Sequence, residues 1–452
     1  MAKFLNTVDL SGTSVDPDKI MLNINGISGL PTREEFYTNY PFYKYWNNSR
    51  NDRLLADEGV NIYIHIPFCI QICDYCFYMK EQIKSKDQVE EYVDHLCREI
   101  EMVSKKFNMA GRNVNSIYVG GGTPSVLTEK QFKKILETLH QHHRIVDPEF
   151  AFEAEPGTFN KSKLEWLKQC GVNRISMGVQ SFDDEVIRLS SRKHTALQAI
   201  NAIKTVQDIG GFEVNIDLLS GLAGETMSSW VQSVETAMAQ QTDMLTIYKM
   251  KTYSNTAFFK KGVYNKEIEL PTLSDEIMFF EKALDMLLSE GYGLWSTFAF
   301  TRNGAQSRYI ENTWRNQDMI AYGASSFGKI GVFNYQNLNN VQAYFEKVKK
   351  NEIPIYRTFQ MSYKDMIAKE LLLCAARLLS YRKEEFIEKF GFDYFDLIPE
   401  AIDELVNKGY ITADRDELVL TKQGVIFGDF VAMTLASSAK KVFAKDAIGF
   451  SY

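Results

Sequence analysis

From residue 61 onward, short β-branched runs alternate with stretches whose apolar residues recur every three or four positions. The run "NIYIHI" (61–66) precedes "DQVEEYVDHLCREIEMVSKKF" (87–107), where Val89, Val93, Leu96, Ile100, Val103 and Phe107 fall on one helical face. The same order returns with "NSIYVGGG" (115–122) before a helix over 129–143, and "EFAFEAEP" (149–156) before one over 161–169. "NRISMGVQ" (173–180) leads to a helix near 195–208, "EVNIDLLSG" (213–221) to one near 227–239, and "MLTIYKM" (244–250) to a last one at 273–290. Repeated strand–helix units of this kind predict an α/β fold with a parallel sheet or barrel over residues 61–290.

The flanks read differently. Residues 1–60 are irregular and rich in Asn, Tyr and Asp, and Tyr40, Tyr43, Tyr45 and Trp46 need a surface to pack on. An arm lying against the barrel is expected there. Residues 291–359 read as a barrel extension and connector. The tail, 360–452, carries helical patterns at 364–380, 383–390 and 399–408, then two short strands around the turn in "GYITADRDELVLTKQG". That helix–helix–hairpin order resembles a winged-helix unit.

Composition narrows the class. The 452 residues include 51 basic and 58 acidic side chains, a net charge of -7, which argues against a nucleic-acid-binding surface. No apolar run approaches the ~18 residues a membrane span needs. The start, "MAKFLNTVDLSG", lacks the apolar core of a secretory signal, so a cytoplasmic location with cysteines kept as thiols is expected.

Cysteine usage carries the chemistry. Of six cysteines, Cys69, Cys73 and Cys76 fall within one loop, spaced C-x3-C-x2-C directly after the first strand. Cys97, Cys170 and Cys374 sit in helical contexts and read as small buried hydrophobes. The triplet cannot be read that way, because Gln71 and Asp74 lie between its members. A structural zinc site would want a fourth Cys or His close by. His65 is near but lies on the strand, where it reads as an inward-facing hydrogen-bonding residue. Thiolates suit iron–sulfur clusters, and three ligands to a four-iron cube leave one iron open to chelation by the amino and carboxylate groups of S-adenosylmethionine (SAM).

The frame "YIHIPFC…CDYC", with "YVGGGTPSVL", "FEAEPGT", "GVNRISMGVQSFDDEVIRLSSRKH" and "NIDLLSGLAGET", resembles the radical SAM superfamily and, within it, the HemN-like branch. That branch includes oxygen-independent coproporphyrinogen dehydrogenase, the haem chaperone HemW, anaerobic haem-opening enzymes and class C methyltransferases and cyclopropanases. The resemblance covers roughly residues 60–440 and implies a partial (β/α)6 barrel with a 4Fe-4S cluster on Cys69, Cys73 and Cys76. It also implies two SAM molecules. Tyr63, Gly121 and Glu153 match positions that contact the first, with Glu153 on its ribose or amino group. Tyr75, Gly122, Thr123, Gln180, Arg192 and Asp217 match positions that contact the second, and Phe327 in "AYGASSFGKIG" is a looser match.

The leading expectation from this resemblance is a class C-type transferase. A 5′-deoxyadenosyl radical from the first SAM takes hydrogen from the methyl of the second, and the methylene radical adds to an sp2 carbon of an aromatic or conjugated substrate. The implied partners are an aromatic or tetrapyrrole small molecule and a reducing donor such as flavodoxin or ferredoxin, with no nucleic acid and no membrane. An anaerobic haem- or porphyrin-modifying enzyme is the alternative, with Arg302, Arg308 and Arg315 as candidate partners of propionates. A haem-binding chaperone ranks last, since the six histidines form no haem motif. Two departures bear on the choice. Tyr78 stands where the coproporphyrinogen enzyme carries an additional cysteine, and some 60 residues precede a motif that the haem chaperone places near its N-terminus. Ala223 in "GLAGET" replaces a usual proline. The pocket is expected to be finished by the arm, by the loop around 292–316 and by the C-terminal unit.

Overall fold

The computed structural model describes residues 59–414 and 416–445, so the expected N-terminal arm with its aromatic residues lies outside the described residues. Six parallel strands form the centre: β1 (Val60–Ile66), β2 (Asn113–Gly121), β3 (Arg144–Ala154), β4 (Arg174–Gln180), β5 (Glu213–Ser220) and β6 (Met244–Lys249). They lie in chain order, as right-handed strand–helix crossovers require. Their outward side chains, such as Ile62, Ile64, Ile117, Phe152, Ile175, Ile216 and Ile247, are at most 1 % exposed. Burial of each stabilises by roughly 1.5–3 kcal/mol.

The covering helices follow the apolar periodicity. Lys86–Lys106 buries Val89, Val93, Leu96, Ile100 and Val103 on the sheet, and Ser85 caps it by accepting from the Gln88 amide. Thr128, Thr195, Thr226 and Thr272 begin later helices with reciprocal capping boxes, which fixes where each turn leaves the strand ends. A short helix, Asp184–Leu189, capped by Asp183, was not evident from the apolar pattern because it spans fewer than two turns.

The barrel stays open. A seventh parallel strand, Met319–Tyr322, joins β1, and three antiparallel strands continue beyond it. At the other edge Ala299–Thr301 pairs antiparallel with β6. The helix Arg308–Trp314 enters the lower end of the sheet's concave face. Glu149 accepts from Ser307 Oγ (2.8 Å), the Arg308 amide (2.6 Å) and the Tyr309 amide (3.0 Å), so a carboxylate from β3 caps its N-terminus. Of the 292–316 segment, the helix after Ser307 thus sits at the lower strand ends, whereas Phe298 lies against Tyr248 at the carboxyl end of β6.

In the tail, a helix over Tyr363–Glu370 widens into a π-helical turn at Leu371–Ala375, and helices follow at Lys383–Phe390 and Pro399–Asn407. The two strands read from sequence, Ile411–Ala413 and Glu417–Leu420, are joined by a third, Ser380–Arg382. This unit meets the barrel beside the end of β6, where Lys249 Nζ donates to the Ile426 carbonyl and the Thr297 amide donates to the Arg377 carbonyl (3.2 Å).

Candidate functional site

Alternation along the strands sends one set of side chains into the concave face. At the carboxyl ends of β1 to β6 this set comprises Tyr63, Tyr118, Gly120, Glu153, Gly178, Asp217 and Tyr248. Below them a polar layer fills the interior. Ser116 Oγ donates to Asn61 Oδ1 (2.7 Å), and Asn215 Nδ2 donates to Ser176 Oγ and Asp217 Oδ1 (both 2.8 Å).

The cysteine loop leaves β1 and is pinched at its neck. Phe68–Cys69 pairs with Glu81–Gln82, the Glu81 amide donating to the Pro67 carbonyl (2.7 Å) and the Ile83 amide to the Cys69 carbonyl (3.0 Å). The glycine turn after β2 is lashed to the same neck: the Gly122 amide donates to the Ile66 carbonyl and the Thr123 amide to the Phe68 carbonyl, each at 2.8 Å. A Cβ on Gly122 would stand 2.7 Å from the Phe68 oxygen and 3.0 Å from Cys69 Sγ, and Gly121 has φ +115 with the His65 ring 2.6 Å from where its Cβ would be. Only glycine admits both the conformation and the approach. The outer side of the loop is tied to residues after β6, because the Phe258 amide donates to the Asp74 carbonyl (2.9 Å) and Lys261 Nζ to Asp74 Oδ2 (2.6 Å). The loop therefore spans from β1 to the far edge of the six-strand arc.

Arg192 and Glu155 join these parts. The buried guanidinium donates to Tyr75 Oη (2.9 Å), the Gly178 carbonyl (2.6 Å) and Cys73 Sγ (3.5 Å), and it pairs with Glu155 Oε1 (3.2 Å). Glu155 also accepts from Gln71 Nε2 (2.8 Å) and Thr123 Oγ1 (3.2 Å), linking the cysteine loop to the glycine turn. Burial pushes the Cys69 thiol up to about 12, against a lowering hydrogen bond from Thr123. Burial likewise raises Cys73, where Arg192 opposes it.

Glu153 accepts from Tyr118 Oη (2.8 Å) and the Gly121 amide (2.9 Å). Burial raises its carboxyl to about 7, and burial raises Asp217 to about 6. Glu99, buried under Tyr344 Oη and the Gly323 amide, is raised to about 7 for the same reason. These acids keep protons in the folded chain that the unfolded chain releases above about pH 4.5. Their stabilising contribution is full below that point and is lost as pH rises through the folded values. The difference in denaturant midpoint between apo wild type and Glu99→Gln is expected to fall between about pH 5 and pH 8; a difference that rises over this range would contradict the assigned burial.

His65 is inward and buried, with Tyr63 Oη 3.0 Å from Nδ1 and the Met79 carbonyl 3.3 Å from Nε2. Gln180 ends β4 with φ +73, its amide beside Gly178. Phe327 opens the antiparallel strand Phe327–Ile330, two strands from β1 on the side away from the other matched positions. Ala223 is wholly buried in a small apolar cluster with Val186, Leu222, Met250 and Phe258, against which Tyr75 packs. Sequence reading missed Tyr118 and Tyr309, which stack at 4.6 Å, with Tyr63 6.1 Å beyond Tyr118. Tyr118 was accessible from its place two residues before Gly120 on the same face, but Tyr309 arrives from a distant helix and leaves no local signal.

The three arginines considered for propionates are elsewhere. Arg308 donates to the Asn115 and Asp147 carbonyls at the lower strand ends, and the Arg302 amide bonds the Asp243 carbonyl before β6. Arg315 pairs with Glu311 (3.0 Å) and Glu385 (2.6 Å). Their positions give no reason to assign them a substrate.

Whether the residues suit a cluster with bound SAM can be judged from the donor set and the space. Among the described residues no three His, Cys, Asp or Glu side chains converge to hold a single ion. A four-iron cube asks for something else, one thiolate per iron, on a loop with room above it. The glycine turn supplies bare backbone beside Cys69, and the buried Gln71 Oε1 and Arg192 Nε lack hydrogen-bond partners among the described residues. Soft thiolates, open backbone and unmatched polar atoms at one rim fit a cluster carrying a polar chelate.

Comparison with known proteins agrees with this arrangement. The family model described as the radical SAM superfamily matches residues 63–237. The chain is 30 % identical over 377 residues to the heme chaperone HemW of Bacillus subtilis (strain 168), covering 82 % of this chain and 97 % of that protein. It is 25 % identical over 416 residues to the oxygen-independent coproporphyrinogen III oxidase of Pseudomonas aeruginosa, covering 87 % and 89 %. The solved structure of coproporphyrinogen III oxidase (HemN) from Escherichia coli superposes with a TM-score of 0.78 at 22 % identity, over 89 % of this chain and 97 % of that one. The chain belongs to the radical SAM superfamily, in its HemN-like branch. The fold is that of HemN, a mixed α/β structure around an open parallel sheet.

These relatives overturn the leading expectation from sequence. They carry the names of haem chaperones and coproporphyrinogen III oxidases, so methyl or methylene transfer is withdrawn as the reading of this chain. The haem-binding alternative, ranked last on histidine count, moves to the front. Histidine count was a poor criterion, because a planar macrocycle can be held by stacking and by its carboxylates as well as by axial ligation. No helix among the described residues is long and apolar enough to cross a membrane.

Proposed function

We propose that this chain binds a tetrapyrrole, haem in the first instance, above a SAM-binding 4Fe-4S cluster. The observation that carries the reading is the similarity to haem chaperones over nearly their whole length, 97 % of the Bacillus subtilis protein. Cys69, Cys73 and Cys76 hold the cluster, with Arg192 stabilising the Cys73 thiolate. Tyr63, Gly121 and Glu153 receive one SAM, the Gly121 turn leaving room for its amino-acid part and Glu153 accepting from its ribose or amino group. Tyr75, Gly122, Thr123, Gln180, Arg192 and Asp217, with Phe327 at the edge, receive a second. When bound, cluster and SAM supply one-electron cleavage of the sulfonium and hydrogen-atom abstraction. The chain itself orients the ligands, narrows water access with its half-buried tyrosines, and through burial raises the Glu153 carboxyl to about 7 and that of Asp217 to about 6. The reducing electron comes from a flavodoxin- or ferredoxin-type donor.

A second reading, radical modification of the tetrapyrrole, is favoured by the residues around Glu153 and Arg192 that match SAM-contacting positions of the family. Titration of anoxically reconstituted protein with haemin is expected to give a saturable Soret shift with one equivalent bound. Absence of binding would remove both readings. Adding SAM and dithionite then separates them: 5′-deoxyadenosine with a mass change in the tetrapyrrole marks modification, whereas haem recovered intact marks carriage.

A further inference from the structure

Glu153 depends for its placement on two rings outside the positions matched to cluster or SAM. On β2, Tyr118 Oη donates to Glu153 Oε1 (2.8 Å), while the Gly121 amide takes the second oxygen (2.9 Å). The approach is close: a Cβ on Gly120 would stand 2.8 Å from both the Glu153 carboxyl and the Tyr118 ring. Carboxylate and ring thus pack in the space that bare backbone leaves. Tyr118 is in turn held from below. Tyr309 stacks on it with centroids 4.6 Å apart and planes 27° from parallel, and Tyr309 Oη donates to Met319 Sδ (3.2 Å). Tyr309 lies in the first turn of the helix Arg308–Trp314, at the end that Glu149 caps by accepting from the Tyr309 amide (3.0 Å). Glu149 stands four residues before Glu153 on the same strand. A closed path therefore runs from β3 through the capped helix and two stacked rings back to β3.

We infer that Tyr118 and Tyr309 are positioning residues for Glu153, the hydroxyl of the first fixing the carboxylate and the ring of the second fixing that hydroxyl. This rests on the reading of Glu153 as a SAM contact. Left with the Gly121 amide alone, the carboxylate would be free to turn about its side-chain bonds, and its other oxygen would be buried without a donor. The same hydroxyl sets the acid's charge. Burial raises the Glu153 carboxyl, Asp217 on β5 adds to the rise, and the bonds from Tyr118 and the Gly121 amide oppose it. Tyr63 on β1, Tyr248 on β6 and Tyr309 also feel the Glu153 charge, but burial keeps all three phenols neutral at pH 7. Removing the Tyr118 hydroxyl takes away a lowering influence, so Glu153 in Tyr118→Phe ionises at higher pH. A merely loosened site would admit water and ionise at lower pH, since burial is what raises the carboxyl.

Two measurements on the full, cluster-loaded chain under anoxic conditions test this. In the first, the infrared carboxyl band that Glu153→Gln removes is followed against pH without SAM. In the second, equilibrium dialysis measures SAM binding with no reductant added, so that no turnover occurs. Tyr118→Phe should move the infrared midpoint up by about one pH unit and weaken SAM binding at pH 7 about tenfold. Tyr309→Phe should stay within about twofold of wild-type SAM affinity, and Tyr309→Ala should show part of the Tyr118→Phe loss. Iron content and circular dichroism matching wild type show that each variant is folded. An infrared midpoint in Tyr118→Phe that stays put or moves down overturns the link to Glu153. A raised midpoint with wild-type SAM affinity overturns the positioning role, and if Glu153→Gln also keeps that affinity, the SAM assignment of Glu153 fails with it. Equal losses in Tyr309→Phe and Tyr309→Ala overturn the part given to the Tyr309 ring. Failure of wild type to bind SAM overturns the proposal together with the reading beneath it.

Discussion

Replacing Cys73 with Ala is expected to take anoxically reconstituted protein from about four iron atoms per chain to nearly none. Cys73 is the middle cysteine of the loop, and Arg192 Nη1 lies 3.5 Å from its sulfur, favouring the thiolate against the cost of burial. Two thiolates would leave two irons of the cube unprotected. No other cysteine can substitute. Cys97 Sγ faces the Lys134 carbonyl at 3.7 Å between two helices, and Cys374 Sγ faces the Trp314 carbonyl at 3.2 Å in the C-terminal unit. Cys97→Ala should accordingly keep its iron. Colorimetric iron and sulfide assays read both variants; full iron in Cys73→Ala, or loss in Cys97→Ala, would refute the ligand assignment.

Arg192→Ala should lower stability by about 3–5 kcal/mol, the scale for breaking one side of a buried ion pair. The side chain is only 5 % exposed, and it contacts Tyr75, Gly178, Glu155 and Cys73. Without it Glu155 keeps Gln71 and Thr123 but loses its counter-charge. Arg192→Lys retains the charge and loses the planar fork, so an intermediate loss is expected. Urea unfolding of the apo protein measures this directly. A loss below about 1 kcal/mol, the level of an exposed pair, would mean that the guanidinium does not hold the loop and the strand ends together.

The βα rhythm was legible because each element buries one face, and burial of one face writes a period of two or of 3.6 into the chain. The six central strands accordingly fall within a few residues of their sequence positions. The strands outside this set were not legible, because Ala299–Thr301 and Met319–Tyr322 are too short to show a period. Of the site, the cysteine triplet and glycine turn were visible because their chemistry needs particular atoms at close spacing. The role of Glu155 left no local signal, since its three partners come from residues 71, 123 and 192. The choice among activities also went beyond the local motifs, because relatives named as chaperones and as oxidases both match this chain over most of its length.

By itself the amino-acid order determined the parallel α/β scaffold, the three thiols and the bare backbone beside them, all properties of neighbouring residues. Tertiary structure decided which distant groups meet them: Arg192 on Cys73, Tyr309 under Tyr118, and Glu149 on a helix from the far end of the barrel. The physical reason is that contacts across a sheet depend on strand order and register, which the packing of the whole core sets and no short segment encodes.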